Sequence, residues 1–151
     1  MKYTIVLLII IFSFISCKYE DGPAISLRSA EKRIEGNYEI DKFEVGGIDS
    51  TTAIRTKPCY GRIGFNYKDK NGTLGIGYGI GCKTYGRWSL RSSNSKIYIE
   101  FLGAFSGIGP FGSNNMQGYN SAVWDILRLK DDEMILTTTY QGIHYKITLV
   151  E

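Results

Sequence analysis

The chain contains little of the chemistry on which most metal sites and acid–base active sites depend. Of its 151 residues one is a histidine, His144, and three are cysteines, none of them in a CxxC pair. Zinc sites need several such ligands at short spacing, and histidine is the commonest general base. Residues 29–32 match Ser-x-x-Lys, but the companion motifs of penicillin-recognising enzymes are missing. We therefore expect no catalytic residue, no metal and no cofactor, and a protein that is not an enzyme.

A hydrophobic run long enough to span a membrane is also absent. The most apolar stretch, residues 4–15, has twelve residues, whereas a membrane-spanning helix needs about 20. It follows the basic residue Lys2 and has the length of a signal-peptide core. Residues 1–16 are therefore predicted to be a signal peptide.

The end of this run, Phe14-Ile15-Ser16-Cys17, resembles the lipobox of bacterial lipoproteins, with Phe14 at a position where leucine is usual. The resemblance implies cleavage before Cys17, lipid on its thiol, and a membrane partner reached through that anchor. Residues 17–24 would be the tether, and the location would be the cell envelope, at the outer membrane, on a face left open. The alternative is an ordinary signal peptide that contains a cysteine.

No cluster of basic residues is present, since 18 basic and 15 acidic residues are interspersed. Nucleic-acid binding is disfavoured for this reason. Export favours disulfides, and lipidation of Cys17 would leave Cys59 and Cys82 as a pair. We expect these two cysteines to be bonded, and the protein to be a monomer.

The mature chain is predicted to form one all-β domain, residues 25–151. Residues 26–35 have helical spacing, with Ser26 as N-cap and Gly36 as the stop. From there the apolar period is two, and short turns separate the segments, which favours antiparallel neighbours in a closed sheet without exposed edges. The predicted strands are 37–45, 59–68, 73–82, 84–90, 96–102, 121–130, 133–140 and 143–150.

Two hairpin registers follow from the alternation. A four-residue loop over residues 69–72 would pair Phe65 with Ile76 and place Cys59 opposite Cys82. One face of this hairpin would be apolar, and the other would carry the alternating glycines of residues 75–81, which lie inside a strand and not at the start of a nucleotide-binding helix. A two-residue tip at residues 141–142 would pair Leu136 with Ile147 and leave His144 on the wet face.

Residues 18–29 (KYEDGPAISLRS), the following short helix and Gly36-Asn37-Tyr38 resemble the start of lipocalin-like lipoproteins of the Bacteroidetes type. Tyr38 stands where lipocalin barrels carry tryptophan. The segment from Trp124 to the C-terminus resembles the end of the same family. The resemblance implies an eight-stranded antiparallel up-and-down barrel preceded by one short helix, with an interior that is filled or that holds one small ligand.

The residues expected to line such a ligand site are aromatic. Four are predicted to point to the apolar side of the sheet, and two more lie on the long glycine-rich connection at residues 103–120: Tyr78, Trp88, Trp124 and Tyr140, then Phe105 and Phe111. A filled core is the alternative for the first group. The connection would be a cover for the barrel mouth or a contact surface for a partner protein.

Two functions follow from these features. The first is binding of a small apolar or amphipathic ligand by a lipid-anchored protein. The second is a non-enzymatic interaction module, such as an inhibitor or immunity-type lipoprotein, that uses residues 103–120. A cavity would favour the first function, and an exposed apolar patch would favour the second.

Overall fold

Alternating apolar and polar residues form the strands of the computed structural model, which describes residues 28–56, 62–68, 71–76, 84–102 and 119–151. Two five-residue helices accompany them. The elements in chain order are α1 (Ala30–Ile34), β1 (Gly36–Val45), β2 (Ile48–Asp49), α2 (Thr51–Arg55), β3 (Arg62–Lys68), β4 (Asn71–Ile76), β5 (Thr84–Arg91), a 3₁₀ turn (Ser92–Asn94), β6 (Lys96–Leu102), β7 (Tyr119–Leu129), β8 (Glu133–Tyr140) and β9 (Ile143–Val150).

The strands form a closed antiparallel barrel. β1 and β3 to β9 pair in chain order, and β1 also pairs with β9, which closes the sheet on itself. β2 has only two residues and folds back on the end of β1 as a short hairpin, in which Val45 pairs with Ile48. The predicted eight-stranded up-and-down barrel with one short helix before it is therefore confirmed. Closure removes the unpaired edges that an open sheet of these strands would expose.

Helix α1 is shorter than the predicted helix over residues 26–35. It begins at Ala30, and its N-cap is Ser29, whose Oγ accepts a hydrogen bond from the Lys32 amide at 3.3 Å. Ser29 has extended backbone angles, which are those of a capping residue. The prediction of Ser26 as the cap is wrong, because a serine three residues later makes this hydrogen bond. The helix ends at Ile34, close to the predicted stop at Gly36.

Helix α1 closes one end of the barrel. It packs against β3 and β7, and its last residue, Ile34, is fully buried. The Arg33 guanidinium donates to the carbonyl oxygen of Leu129 at 2.8 Å, and the Tyr38 hydroxyl donates to the carbonyl oxygen of Arg33 at 2.6 Å. These two bonds join the helix to β7 and β1. We call this end of the barrel the closed end.

Helix α2 was not predicted, and it occupies a gap in the barrel wall. Within the described residues β3 pairs only with residues 36–39 of β1, and the groups farther along that edge of β1 find other partners. The Phe43 amide donates to Thr51 Oγ1 at 2.9 Å, and the Arg55 guanidinium donates to the carbonyl oxygen of Ile40 at 2.6 and 2.9 Å. Ile54 is fully buried and fills the interior behind the gap.

The last hairpin has the predicted register. Leu136 pairs with Ile147, and the tip residues Gln141 and Gly142 have φ of 52° and 78°, as a two-residue hairpin turn with the twist of the strands requires. His144 lies on the exposed face, as predicted, with its Nε2 3.0 Å from Thr137 Oγ1.

The predicted register of β3 with β4 is wrong by two residues. Phe65 pairs with Leu74 and not with Ile76, and Lys68 pairs with Asn71, so that only residues 69 and 70 separate the strands. A shift of two leaves each side chain on the same face, so the apolar face was predicted correctly. The register argument for bonding Cys59 to Cys82 fails with it, and both cysteines lie outside the described residues.

The barrel interior is tightly packed around two tryptophans. Trp88 and Trp124 are 3% and 0% exposed, and the Trp88 indole N–H donates to the carbonyl oxygens of Asn66 and Thr73 at 3.2 and 3.0 Å. A Cβ on Gly72 would lie 2.6 Å from the Trp88 ring and 2.4 Å from its carbonyl oxygen. Glycine at position 72 therefore makes room for the indole.

Candidate functional site

The end of the barrel opposite α1 is built differently, and we call it the mouth. The strand ends that flank residues 57–61, 77–83 and 103–118 all lie there, as the antiparallel order of the strands shows. Residues 119 and 120 pair with β6 and belong to β7, so the predicted 103–120 connection is shorter at that end. The tip of the last hairpin also lies there. The strand ends that lead into the longer connections thus lie at one end of the molecule.

Three partly buried apolar side chains lie on the inner wall near the mouth. Val45 ends β1, Tyr140 ends β8, and Ala122 lies near the start of β7; each packs against the core from that side. Alternation along β7 places Ala122 inside and its neighbour Ser121 outside, where Ser121 is exposed. These residues form an apolar inner rim.

The middle of the barrel is filled. Eight side chains from five strands enclose a remnant of space that has about 0 Å³ open to a water molecule. They are Ile63, Phe65, Leu74, Ile99, Phe101, Leu136, Ile147 and Leu149. An apolar void of this size stays dry and unoccupied. A ligand inside the described part of the barrel is therefore restricted to the mouth.

The structure separates the aromatic residues that the sequence grouped into one ligand site. Trp88 and Trp124 belong to the closed half, because Trp88 pairs with Gly72 near the start of β4 and Trp124 pairs with Ile97 near the start of β6. Both belong to the packed core. Tyr140 lies at the mouth. Tyr78, Phe105 and Phe111 lie outside the described residues, as does Cys17.

Two exposed isoleucines flank the mouth on adjoining hairpins. Ile48 of β2 is 72% exposed and Ile143 of β9 is 43% exposed. The Gly46 amide donates to the carbonyl oxygen of His144 at 2.7 Å, which joins the two hairpin tips. Gly46 and Gly47 have φ of 58° and 82°, so the β1–β2 turn needs residues without a Cβ. Sequence reasoning missed this apolar edge because it missed β2.

The charged groups of the described residues are arranged mostly in pairs on the outer surface. At the closed end Glu133 accepts a hydrogen bond from Arg128 at 2.9 Å, and this bond holds the pKa of the Glu133 carboxyl below its ordinary value, with Lys130 contributing. Hydrogen bonds from Thr51 lower the pKa of Asp49 in the same way. Burial raises the pKa of the Tyr38 phenol to about 12. These pairs stabilise turns and helix ends.

No metal-binding group of histidine, cysteine and carboxylate side chains is gathered within the described ranges. None of the helices in that part of the chain is long and apolar enough to cross a membrane.

A second concave surface lies outside the barrel, and sequence reasoning missed it. Across β1, β3, β4 and β5 the outward positions Asn37, Gly64, Gly75 and Tyr85 are direct neighbours. The two glycines leave a groove of about 560 Å³ between the outer side chains. We call it the outer groove. The alternating glycines were its only signal in the sequence.

The closed meander of eight antiparallel strands with a helix over one end defines a lipocalin-type barrel. Neither a protein-family model nor a characterised protein matches the sequence. Among solved structures the chain is similar to insecticyanin, a lipocalin from the tobacco hornworm Manduca sexta, with a TM-score of 0.53 and 10% identity. The match covers 78% of this chain and 61% of that chain, so this chain spans less than two thirds of insecticyanin. At this identity the likeness concerns the fold.

Proposed function

We propose that the protein is exported, anchored by lipid on Cys17, and binds one small apolar or amphipathic molecule at the mouth of its barrel. The observation that carries the proposal is the difference between the two ends. The closed end is sealed by α1 through Arg33 and Tyr38. The mouth has a partly buried apolar inner rim. Lipocalin-type barrels enclose space for one small ligand when their interior is not filled.

The filled middle of the barrel limits the size of that ligand. Since no water-sized space remains among the eight side chains there, the ligand would occupy a shallow site above them. Val45, Ala122 and Tyr140 would contact it. Two of them offer only apolar surface and the third adds a hydroxyl, which is a composition suited to an amphipathic molecule.

The proposed anchor would attach at the opposite end from the ligand. Residues 17–27 lead to α1, and eleven residues extend at most about 40 Å. The tether would thus join the membrane to the closed end, and the mouth would face away from the point of attachment. We propose the outer membrane as that membrane, because Lys18, the residue after the lipidated cysteine, does not resemble the aspartate-type signal that retains lipoproteins at the inner membrane in some bacteria.

A tryptophan that fills the mouth tests the ligand site. The measurement is the affinity for N-phenyl-1-naphthylamine, a fluorescent apolar probe, with the chain that starts at Lys18 so that no detergent is needed. Ala122→Trp should weaken binding at least about tenfold, which corresponds to about 1.4 kcal/mol. The matched control is Ser121→Trp, which adds the same ring to the outer face of the same strand. Equal binding by both variants, or no binding by the parent chain, would reject the site.

The alternative is a contact surface for a partner protein, and the exposed isoleucines beside the mouth favour it. Ile48 and Ile143 would form its centre, in place of the 103–120 connection, most of which lies outside the described residues. Ile48→Ser with Ile143→Ser should then abolish partner binding while leaving probe binding intact. Loss of probe binding in this variant would instead assign both residues to the ligand site.

A further inference from the structure

The outer groove has the composition of a binding site that is independent of the mouth. Its floor is bare backbone, because Gly64 and Gly75 stand side by side where neighbouring strands carry side chains. A Cβ added at Gly75 would meet no atom within 4 Å, so the groove is open there. A Cβ at Gly64 would lie 2.9 Å from Asn37 Oδ1, so the Asn37 carboxamide leans over the floor from one side.

An exposed aromatic ring stands on the other side of this floor. Tyr85 is the outward neighbour of Gly75 on β5, and it is 61% exposed. Adjacent strands lie about 4.8 Å apart, so the row from Asn37 to Tyr85 spans about 14 Å. That width, with a volume of about 560 Å³, accommodates one or two six-membered rings. The tyrosine face and the glycine floor would contact a flat ligand on two sides.

The remaining outward side chains of the lining are planar or hydroxyl-bearing hydrogen-bonding groups, since Phe65 and Leu74 of the lining are buried in the barrel interior. Asn66, Thr73 and Arg87 form the next outward row, two residues along the strands from Gly64, Gly75 and Tyr85. Glu35 lines the edge of the groove. Arg87 forms no ion pair within the part of the chain that the structure describes. Glu35 accepts a hydrogen bond from Lys32 at 2.8 Å, and this bond lowers the pKa of its carboxyl. Glu100 is the direct cross-strand neighbour of Arg87 on β6, so its carboxylate offsets the charge of Arg87, and the lining favours a neutral ligand over a charged one.

The backbone of the floor excludes strand addition by an extended peptide. β3 pairs on both sides, with β1 and β4, and β4 pairs with β3 and β5. Every strand under the groove therefore has its hydrogen-bonding groups in the sheet, and none is free for strand addition. A ligand must be recognised by side chains alone, through amides, a hydroxyl, a guanidinium, a carboxylate and an aromatic face.

We propose that the outer groove binds a neutral saccharide of one or two rings. A pyranose has an apolar C–H face that fits the Tyr85 ring, and a rim of hydroxyls that pair with planar amide, guanidinium and carboxylate groups. Neighbouring hydroxyls suit the forked geometry of Arg87 in particular. The glycine floor allows the ring to approach the sheet more closely than any side chain would permit.

The test is calorimetric titration of the full chain, in a detergent without a sugar headgroup, with cellobiose, maltose, lactose and N,N′-diacetylchitobiose. At least one should bind saturably, with a Kd on the order of 1 mM because the groove is shallow and open. AMP is titrated as a charged ring compound and should not bind. No binding by any of the four sugars, or binding of AMP in their place, overturns the proposal.

Two variants locate the site. Gly75→Leu fills the open part of the groove and should abolish sugar binding, and Tyr85→Ala should weaken it about tenfold. Ser121→Leu and Tyr98→Ala are the matched controls on the outer wall away from the groove, and both should bind as the parent does. Tyr98 already packs beneath Arg91, whose Cζ lies 4.8 Å above its ring.

The melting temperature of Gly75→Leu shows whether the groove is open in the parent protein or is already filled by another part of the chain. An unchanged melting temperature with lost sugar binding supports the proposal. A clear fall would mean that another part of the chain fills the groove, and it overturns the proposal. Sugar binding that survives Gly75→Leu but is lost in Ala122→Trp would assign the sugar to the mouth, and it overturns the proposal while leaving the mouth as a binding site.

Discussion

The hydroxyl of Tyr38 donates to the carbonyl oxygen of Arg33 at 2.6 Å, inside the barrel wall. Arg33 is only 8% exposed and its guanidinium bonds to Leu129. One tyrosine and one arginine thus connect the first strand, the helix and the end of β7. The closed end depends on this connection, because a five-residue helix is not stable without tertiary contacts.

Alkaline pH should weaken the closed end through Tyr38. Burial raises the pKa of this phenol to about 12 from an unfolded value of 10. Its contribution to stability is therefore present below pH 10 and is lost as the pH rises from 10 through about 12. At 1.36 kcal/mol per unit the loss is roughly 2–3 kcal/mol. Urea denaturation at pH 8, 10 and 12 measures it.

The variant Tyr38→Phe isolates this effect from other groups that titrate at high pH. It should lose about 0.5–1.5 kcal/mol at pH 8 because the hydrogen bond to Arg33 is removed. Its further loss above pH 10 should be smaller than that of the parent. Parallel curves for parent and variant would contradict the role of Tyr38. Tyr85→Phe, at an exposed ring, is the control and should leave the free energy of unfolding at pH 8 unchanged.

Two glycines on the same strand should respond oppositely to alanine. Gly72→Ala places a Cβ 2.4 Å from the Trp88 carbonyl oxygen, so backbone must shift. We expect a loss of about 1–3 kcal/mol, as for other overpacked sites. Gly75→Ala meets no atom within 4 Å and should leave stability unchanged or raise it by up to about 1 kcal/mol. Chemical denaturation of both variants is the measurement, and equal effects would refute the packing account.

The packing that fills the gap beside β1 should depend on Ile54. Its side chain is fully buried, so Ile54→Ala should lower the free energy of unfolding by about 2–5 kcal/mol. Ile48→Ala removes the same atoms from a side chain that is 72% exposed, and it should cost less than about 0.5 kcal/mol. If Ile54→Ala were as mild as its control, α2 would be a peripheral turn and not part of the wall.

The anchor is tested by removing the thiol. Cys17→Ala should shift the exported protein from the detergent phase to the aqueous phase in a phase-partitioning experiment, because the acyl chains supply the membrane affinity. Ser16→Gly keeps the thiol and a small residue before it, and should remain in the detergent phase. Detergent-phase behaviour that persists in Cys17→Ala would leave the chain without its proposed anchor.

The local pattern of the sequence was enough to predict eight antiparallel strands in a closed sheet and the last hairpin, and the resemblance to lipocalin-like lipoproteins implied the up-and-down barrel. The turn at Gln141 and Gly142 joins two strands with strict alternation, and only one register keeps Leu136 and Ile147 inside with a two-residue tip. The β3–β4 hairpin was predicted two residues out of register. Alternation repeats every two residues, so it determines the buried face but not a shift of two, and hydrogen bonding between the strands decides that shift.

The tertiary structure alone decided what the barrel can bind. The sequence indicated that Trp88 and Trp124 point inward, but whether they fill the core or line a cavity depends on the space left by facing residues such as Gly72. Helix α2 supplies hydrogen bonds to β1 beyond the residues that pair with β3 in the described part of the chain, a role that is not visible in residues 51–55 themselves. The outer groove arises because glycines of two different strands become neighbours across the sheet. Local sequence determines periodicity and turns, whereas cavities and grooves depend on contacts between segments that are distant in the chain.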